Sequence, residues 1–173
     1  MATTSAGIPV EEYLRTYYDP DMEYVDGQLV ERHVGEIRHS RLQTLIVLLL
    51  GGREDERGFR AYTELRIQIS NDPPRYRIPD ICLKALPHEM TPVLVGPDLV
   101  IEILSPDDEP GDLLAKLADY VGAGIPYIWI VDPYKRTVAA LENGMHRKIA
   151  GLVLETPLVG TVDFAELFRK LDQ

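Results

Sequence analysis

Stretches in which apolar residues alternate or run unbroken are interleaved with stretches in which they return every three or four residues, so strands and helices should be mixed along the chain. Residues 10–18 read as a short helix that Asp19-Pro20 stops. In EYVDGQLVE, Asp26-Gly27 separates two short β-prone runs. Both central residues of a type I′ turn need positive φ, so this dipeptide predicts a hairpin. Residues 36–50 predict a helix burying Ile37, Leu42, Leu45, Ile46 and Leu49, with Gly51-Gly52 as its stop. Residues 59–69 read as one strand, with Tyr62, Glu64, Arg66 and Gln68 on one face and Leu65, Ile67 and Ile69 on the other. Asn71-Asp72-Pro73-Pro74 turns it into a strand at 77–84, making a second hairpin.

After a loop at 87–97, residues 98–104 are almost wholly apolar, as expected of a strand in the middle of a sheet covered on both faces; Ser105-Pro106 ends it. Residues 110–123 predict a helix with Leu113, Leu114, Leu117 and Val121 toward the core, and 126–132 (PYIWIVD) another apolar strand. Strand, helix and strand in that order predict a right-handed crossover between parallel strands. Residues 137–141 and 145–149 flank Glu142-Asn143-Gly144 as an outer hairpin, and 162–171 predict a terminal helix.

At 173 residues and 45% hydrophobic content, the chain fits one α/β domain with a sizeable core, spanning 1–173. Within it, 1–21 form an N-terminal helical extension, about 22–150 the core, and 151–173 a C-terminal segment with a short helix. The net charge of −10 is the opposite of a strong nucleic-acid binder's footprint, although a local basic patch or a divalent ion reverses the field at one cleft. The single cysteine, Cys82, has no internal disulfide partner and lies in an apolar run, so an inert buried thiol is expected. His33, His88 and His146 show no zinc-ligand spacing with it. The opening MATTSAGIPVEEYL lacks a basic region followed by an apolar core, and no run approaches the roughly 20 apolar residues that cross a bilayer. A cytoplasmic protein without membrane contact is the expectation.

Two carboxylates change this picture. Asp80, after Pro79, heads one apolar strand, and Glu102 stands inside another, LVIEILS. Burying a carboxylate as an ion is costly unless a cation or hydrogen-bond donors compensate it. They are 22 residues apart, room for a strand, a loop and a strand, so they can converge at one sheet edge. Hard ions such as Mg²⁺, with Mn²⁺ as substitute, take oxygen ligands and keep waters, so two carboxylates and a backbone carbonyl suffice. Spacing leaves the alternative open that Asp80 caps a turn and Glu102 pairs with a buried Arg or Lys. Asp112, Lys116 and Tyr120 follow at intervals of four along one helix face. Lys116 there would orient an attacking water or stabilise charge on a phosphate; a plain Asp112–Lys116 ion pair with Tyr120 in the core fits the spacing equally.

IPDICL, LVIEILSP and DLLAKLADYVGAGIPYIWIVDP, in this order, resemble the PD-(D/E)XK nuclease superfamily, and especially its bacterial Uma-type family of restriction endonuclease-like proteins. The resemblance runs from about residue 22 to about residue 132. It implies a restriction endonuclease-like core: a central mixed β-sheet flanked by helices, with N-terminal and C-terminal β-hairpins and an Mg²⁺-dependent site at one sheet edge. It implies an endonuclease hydrolysing DNA phosphodiester bonds, working as a homodimer. Asp80 and Glu102 match the metal-binding carboxylates, with the Ile103 carbonyl as a further ligand. The lysine that the superfamily carries two residues after the glutamate is Leu104 here, which makes Lys116 the matching candidate, since its long stem can reach the same volume from the next helix. Glu64, His39, Tyr120 and Glu31 are possible accessory residues; Glu23 and Glu31 match acidic positions of the family's opening. Trp129 reads as core in preference to a base-stacking platform. Leu104 and the acid excess motivate an alternative, a weak or inactive nuclease-fold protein serving as a nucleic-acid-binding or protein-interaction module.

Overall fold

A computed structural model describes residues 7–32 and 35–173; the first six residues and His33-Val34 lie outside the described residues. In chain order the elements are α1 (Val10–Arg15), β1 (Met22–Val25), β2 (Gln28–Glu31), α2 (Ile37–Gly51), α3 (Glu54–Arg57), β3 (Phe59–Thr63), β4 (Ile67–Asn71), β5 (Pro74–Arg77) and β6 (Ile81–Ala85). They continue with β7 (Leu94–Val95), β8 (Leu99–Ile103), α4 (Pro110–Gly122), β9 (Tyr127–Asp132), β10 (Thr137–Glu142), β11 (Met145–His146), β12 (Val153–Thr156), β13 (Gly160–Asp163) and α5 (Phe164–Leu171). A six-stranded sheet has the order β11-β10-β9-β8-β6-β3, a five-stranded sheet the order β2-β1-β5-β4-β7, and β12-β13 form a separate hairpin.

The apolar run at β8 is buried along its whole length in the six-stranded sheet, antiparallel to β6 and parallel to β9, with α4 as the crossover. Alternation then sorts its side chains. Leu99, Ile101 and Ile103 join Leu42, Ile46, Trp129, Phe164 and Phe168 in one core, where the Trp129 ring meets Phe164 edge-on at 5.9 Å. Val100 joins Cys82, Ile128 and Tyr120 in a second core, and Glu102 shares its parity with Val100. Trp129 is therefore core, and burial pushes the Cys82 thiol up to about 12, which leaves it protonated and inert. A third cluster of Tyr13, Tyr24 and Tyr76 ties α1 to the five-stranded sheet. Among the described residues no helix is long and apolar enough to cross a membrane.

The Asp26-Gly27 turn has φ of 51° and 85°, as the β1-β2 hairpin requires. Residues 59–69, however, are two strands. Glu64 adopts φ 51°, and this left-handed residue turns the chain out of the six-stranded sheet and into the five-stranded one. The return limb divides in the same place, so β3 pairs with β6 and β4 with β5. The helix at 10–18 ends early, at Arg15, where Thr16 is already extended. Val162 belongs to β13, and α5 starts only at Phe164, capped by the Asp163 carboxylate accepting the Ala165 N–H.

Two helices bury faces other than those expected. Ile37 is 85% exposed, because the inward stripe of α2 is His39, Leu42, Leu45, Ile46 and Leu50, and Ile37 points away from it. On α4, Leu114 is 66% exposed and Val121 also lies outside, whereas Asp119 and Tyr120 are buried and Lys116 is largely covered. Burying one Leu or Val yields about 1.5–3 kcal/mol. A buried ion left without its partner costs about 3–5 kcal/mol, so the charges win the inner face.

Candidate functional site

Asp80 occupies the bend between the two sheets, immediately before β6, and is 4% exposed. Its Oδ2 accepts the Ile103 N–H at 2.7 Å and lies 3.2 Å from His39 Nε2, while Oδ1 accepts from Arg32 Nη2 at 2.9 Å. Its carbonyl is held by the Gln43 amide at 2.9 Å. Burial alone raises the Asp80 pKa, but His39, the Ile103 N–H and Arg32 together outweigh it, and the carboxyl stays below the ordinary range. His39 shows the reciprocal balance: burial lowers its pKa, and the Asp80 carboxylate more than restores it.

Glu102 is 5% exposed and sits on the strand beside β6. Its Oε1 accepts the Tyr120 hydroxyl, and its Oε2 lies 3.2 Å from Lys116 Nζ. Burial pushes the Glu102 carboxyl up to about 7; Lys116 opposes the rise, and the Asp80 and Glu23 carboxylates add to it. For Lys116, burial works against the charged form, but Glu102 and Glu23 hold the amine above its ordinary value. Burial and Glu102 likewise raise Tyr120 well above a normal phenol, so it stays a donor.

Glu23 and Arg77 complete the group. Glu23 Oε1 is 3.3 Å from Lys116 Nζ, and its Oε2 accepts from Arg77 at 2.8 Å. Arg77 binds Asp119 at 2.7 Å, and Arg75 links Asp119 to Asp26 in the β1-β2 turn. The cleft above these residues has a volume of about 190 Å³ and is bounded by β1, β2, the ends of β6 and β8, and α4.

A family model described as "Putative restriction endonuclease", Uma2, matches residues 10–161. The chain belongs to the Uma2 family. A solved structure described as "a putative nuclease belonging to DUF820 from Anabaena variabilis ATCC 29413" is similar over 95% of this chain and 99% of its own. The identity is 24% and the TM-score 0.81, a likeness of fold. No curated protein matches the chain.

In this Uma2 chain the structure brings together Asp80, Glu102, Lys116, Tyr120 and His39 around one cleft. His39 is a buried partner of Asp80, which its position beside Arg38 and Arg41 in sequence did not reveal. Glu64 stands aside: it is half exposed, and its nearest cation is Arg32 at 4.0 Å. Glu31 lines the cleft mouth but is exposed, and of the two acids flanking Asp26-Gly27 it is Glu23 that reaches Lys116. Asp112 lines the cleft without pairing with Lys116. Arg32, Arg77 and Asp119 were not singled out from sequence. Arg77 alternates with the core residue Ile78 next to Pro79-Asp80, which is the one signal that could have pointed to it.

The oxygen-rich donor set fits a hard divalent ion. Of about four lone-pair sites on each carboxylate, Asp80 uses three and Glu102 two among the described residues, which leaves sites for a cation on both there. In an extended strand the N–H and C=O of one residue point to the same side, so the Ile103 carbonyl faces the edge where Asp80 takes its N–H. Among the described residues no three His, Cys, Asp or Glu side chains are grouped as metal ligands; Mg²⁺, which often keeps several waters, takes as few as one or two carboxylates.

Proposed function

We propose that this protein is a metal-dependent endodeoxyribonuclease in which Asp80, Glu102 and the Ile103 carbonyl hold Mg²⁺ or Mn²⁺ and Lys116 serves the transferring phosphate. The observation that carries the reading is the convergence of Asp80, Glu102 and Lys116 on one cleft, with Glu102 lifted to about 7 by burial and two neighbouring carboxylates. A carboxylate in that condition is stabilised by a cation at its free lone pairs. Bound there, the ion would polarise a phosphoryl oxygen and lower the pKa of a bound water. Lys116 donates to Glu102 and is ion-paired with Glu23, so of its three N–H donors one can still reach a phosphate oxygen or orient the attacking water. Tyr120 fixes the Glu102 carboxylate, and Arg32 and His39 fix that of Asp80.

Among the described residues, seven carboxylate residues and three Lys or Arg residues line the cleft, a balance that repels a polyanion unless a divalent cation offsets it. The same balance, with Leu104 at the usual lysine position, favours a second reading as a binding module that does not cut. Incubation of supercoiled plasmid with Mg²⁺ or Mn²⁺ separates the two. Nicking or linearisation that disappears in EDTA and in Asp80→Ala is expected; cleavage unaffected by that substitution removes the proposed site, and DNA binding without hydrolysis in any metal selects the second reading. Cutting both strands of a duplex takes two such sites, so a homodimer is the working form, and sedimentation of the protein with and without DNA tests it.

A further inference from the structure

We propose that Glu23 is a positioning residue for Lys116, fixed in turn by Arg77 and Asp119; this rests on the nuclease reading above. Glu23 is 2% exposed and held from three sides: Oε1 takes the Ile78 N–H at 2.9 Å and meets Lys116 at 3.3 Å, while Oε2 takes Arg77 at 2.8 Å. Arg77 grips Asp119 through Nε at 2.7 Å and Nη2 at 2.6 Å. Asp119 lies one helical turn beyond Lys116 on α4, so the contacts close into a ring that clamps the helix and its lysine against the five-stranded sheet.

The need for such a clamp follows from where the lysine starts. A lysine at position 104 would stand on the same strand as Glu102, two residues on and on the same face. Lys116 arrives instead from a helix, on a four-carbon stem with many rotamers. Glu102 alone cannot hold it during turnover, because a divalent cation on Glu102 repels the ammonium next to it. Glu23 is the anion that keeps the amine at the cleft when the charge of Glu102 is answered by metal.

The test uses the full chain with Mg²⁺ and the variants Glu23→Gln, Lys116→Met and the pair together. A misplaced group costs on the order of 10²-fold in rate, so at saturating Mg²⁺ kcat should fall by about that factor in Glu23→Gln with KM unchanged. The double variant should be no slower than Lys116→Met alone. Effects that multiply would assign Glu23 a role independent of Lys116 and overturn the proposal. A second measurement does not depend on cleavage: reductive methylation with formaldehyde, mapped by mass spectrometry. Lys116 should be modified several-fold faster in Glu23→Gln than in the wild type, with the exposed Lys135 as the unchanged reference. Equal Lys116 rates overturn the proposal, and they do so even for a protein that cuts nothing, the result that would remove the nuclease reading on its own. Should Glu23→Gln not fold, Glu23→Asp keeps the charge but withdraws it by one methylene. Intermediate labelling then supports the clamp, and labelling at the wild-type rate rejects it.

Discussion

Replacing Glu102 with Gln should make the metal-free protein more stable at pH 8, with only about a quarter of that gain at pH 5. Gln keeps the shape of the side chain and can still accept the Tyr120 hydroxyl, but it removes the charge that burial, Asp80 and Glu23 oppose. The Glu102 carboxyl moves from its ordinary 4.5 to about 7 on folding, so between those values the folded state holds the proton that the unfolded chain has lost. Linkage then makes the wild-type protein lose stability as pH rises through that window. A displacement of roughly two and a half pH units corresponds to about 3 kcal/mol. For a chain of this length that is roughly 6–12 °C in melting temperature. Asp80 has the opposite sign: its lowered pKa contributes stability that is lost only as pH falls below the ordinary carboxylate range, so it does not disturb a comparison from pH 5 upward. Thermal melts in EDTA at pH 5, 6, 7 and 8 should show the gap opening in favour of the variant. Mg²⁺ at a hundredfold excess over its dissociation constant should then restore about 2.7 kcal/mol to the wild type and little to the variant. A variant that melts below the wild type at pH 8 would refute the reasoning, because the Glu102–Lys116 pair would then be net stabilising and Glu102 would have no unmet need for a cation.

Three further outcomes are expected. Arg77→Met leaves Glu23 and Asp119 buried with one cation fewer each and should cost about 3–5 kcal/mol, read as a lower urea midpoint. Glu64→Gly relieves a left-handed residue and should match or exceed wild-type stability by up to about 1 kcal/mol, while metal-dependent cleavage persists, since Glu64 stands outside the site. Leu104→Lys places an amine on the face of Glu102, so in a Lys116→Met background it should recover part of the lost cleavage rate in the plasmid assay.

Local signals carried much of this architecture. The Asp26-Gly27 and Asn143-Gly144 turns, the buried run at β8 and the β8-α4-β9 crossover depend on adjacent residues, and all are where periodicity and turn chemistry put them. What periodicity misread was decided at longer range. A single non-glycine residue at positive φ, Glu64, breaks an otherwise regular alternation, and nothing in its side chain requires that conformation. The face of α4 follows from partners on β1, β5 and β8, so hydrophobic spacing chose Leu114 and Val121 where charge pairing chose Lys116 and Asp119. In the same way, two acids in apolar strands were visible in the sequence, but Glu23 could not be told from Glu31 until the pairing of β1 with β5 was known.

The ring that joins β1, β5 and α4 also sets a clock. Glu23 and Lys116 are 93 residues apart, and at cellular synthesis rates of about 5–20 residues per second that interval takes roughly 5–20 s. Late in that interval the growing chain contains Asp80 and then Glu102 but not yet Lys116, and β9, which pairs with the strand bearing Glu102, is made later still. A nascent chain therefore holds Glu23 and Arg77 without their partners on α4, and the clamp between the five-stranded sheet and that helix closes only once Lys116 and Asp119 have been made.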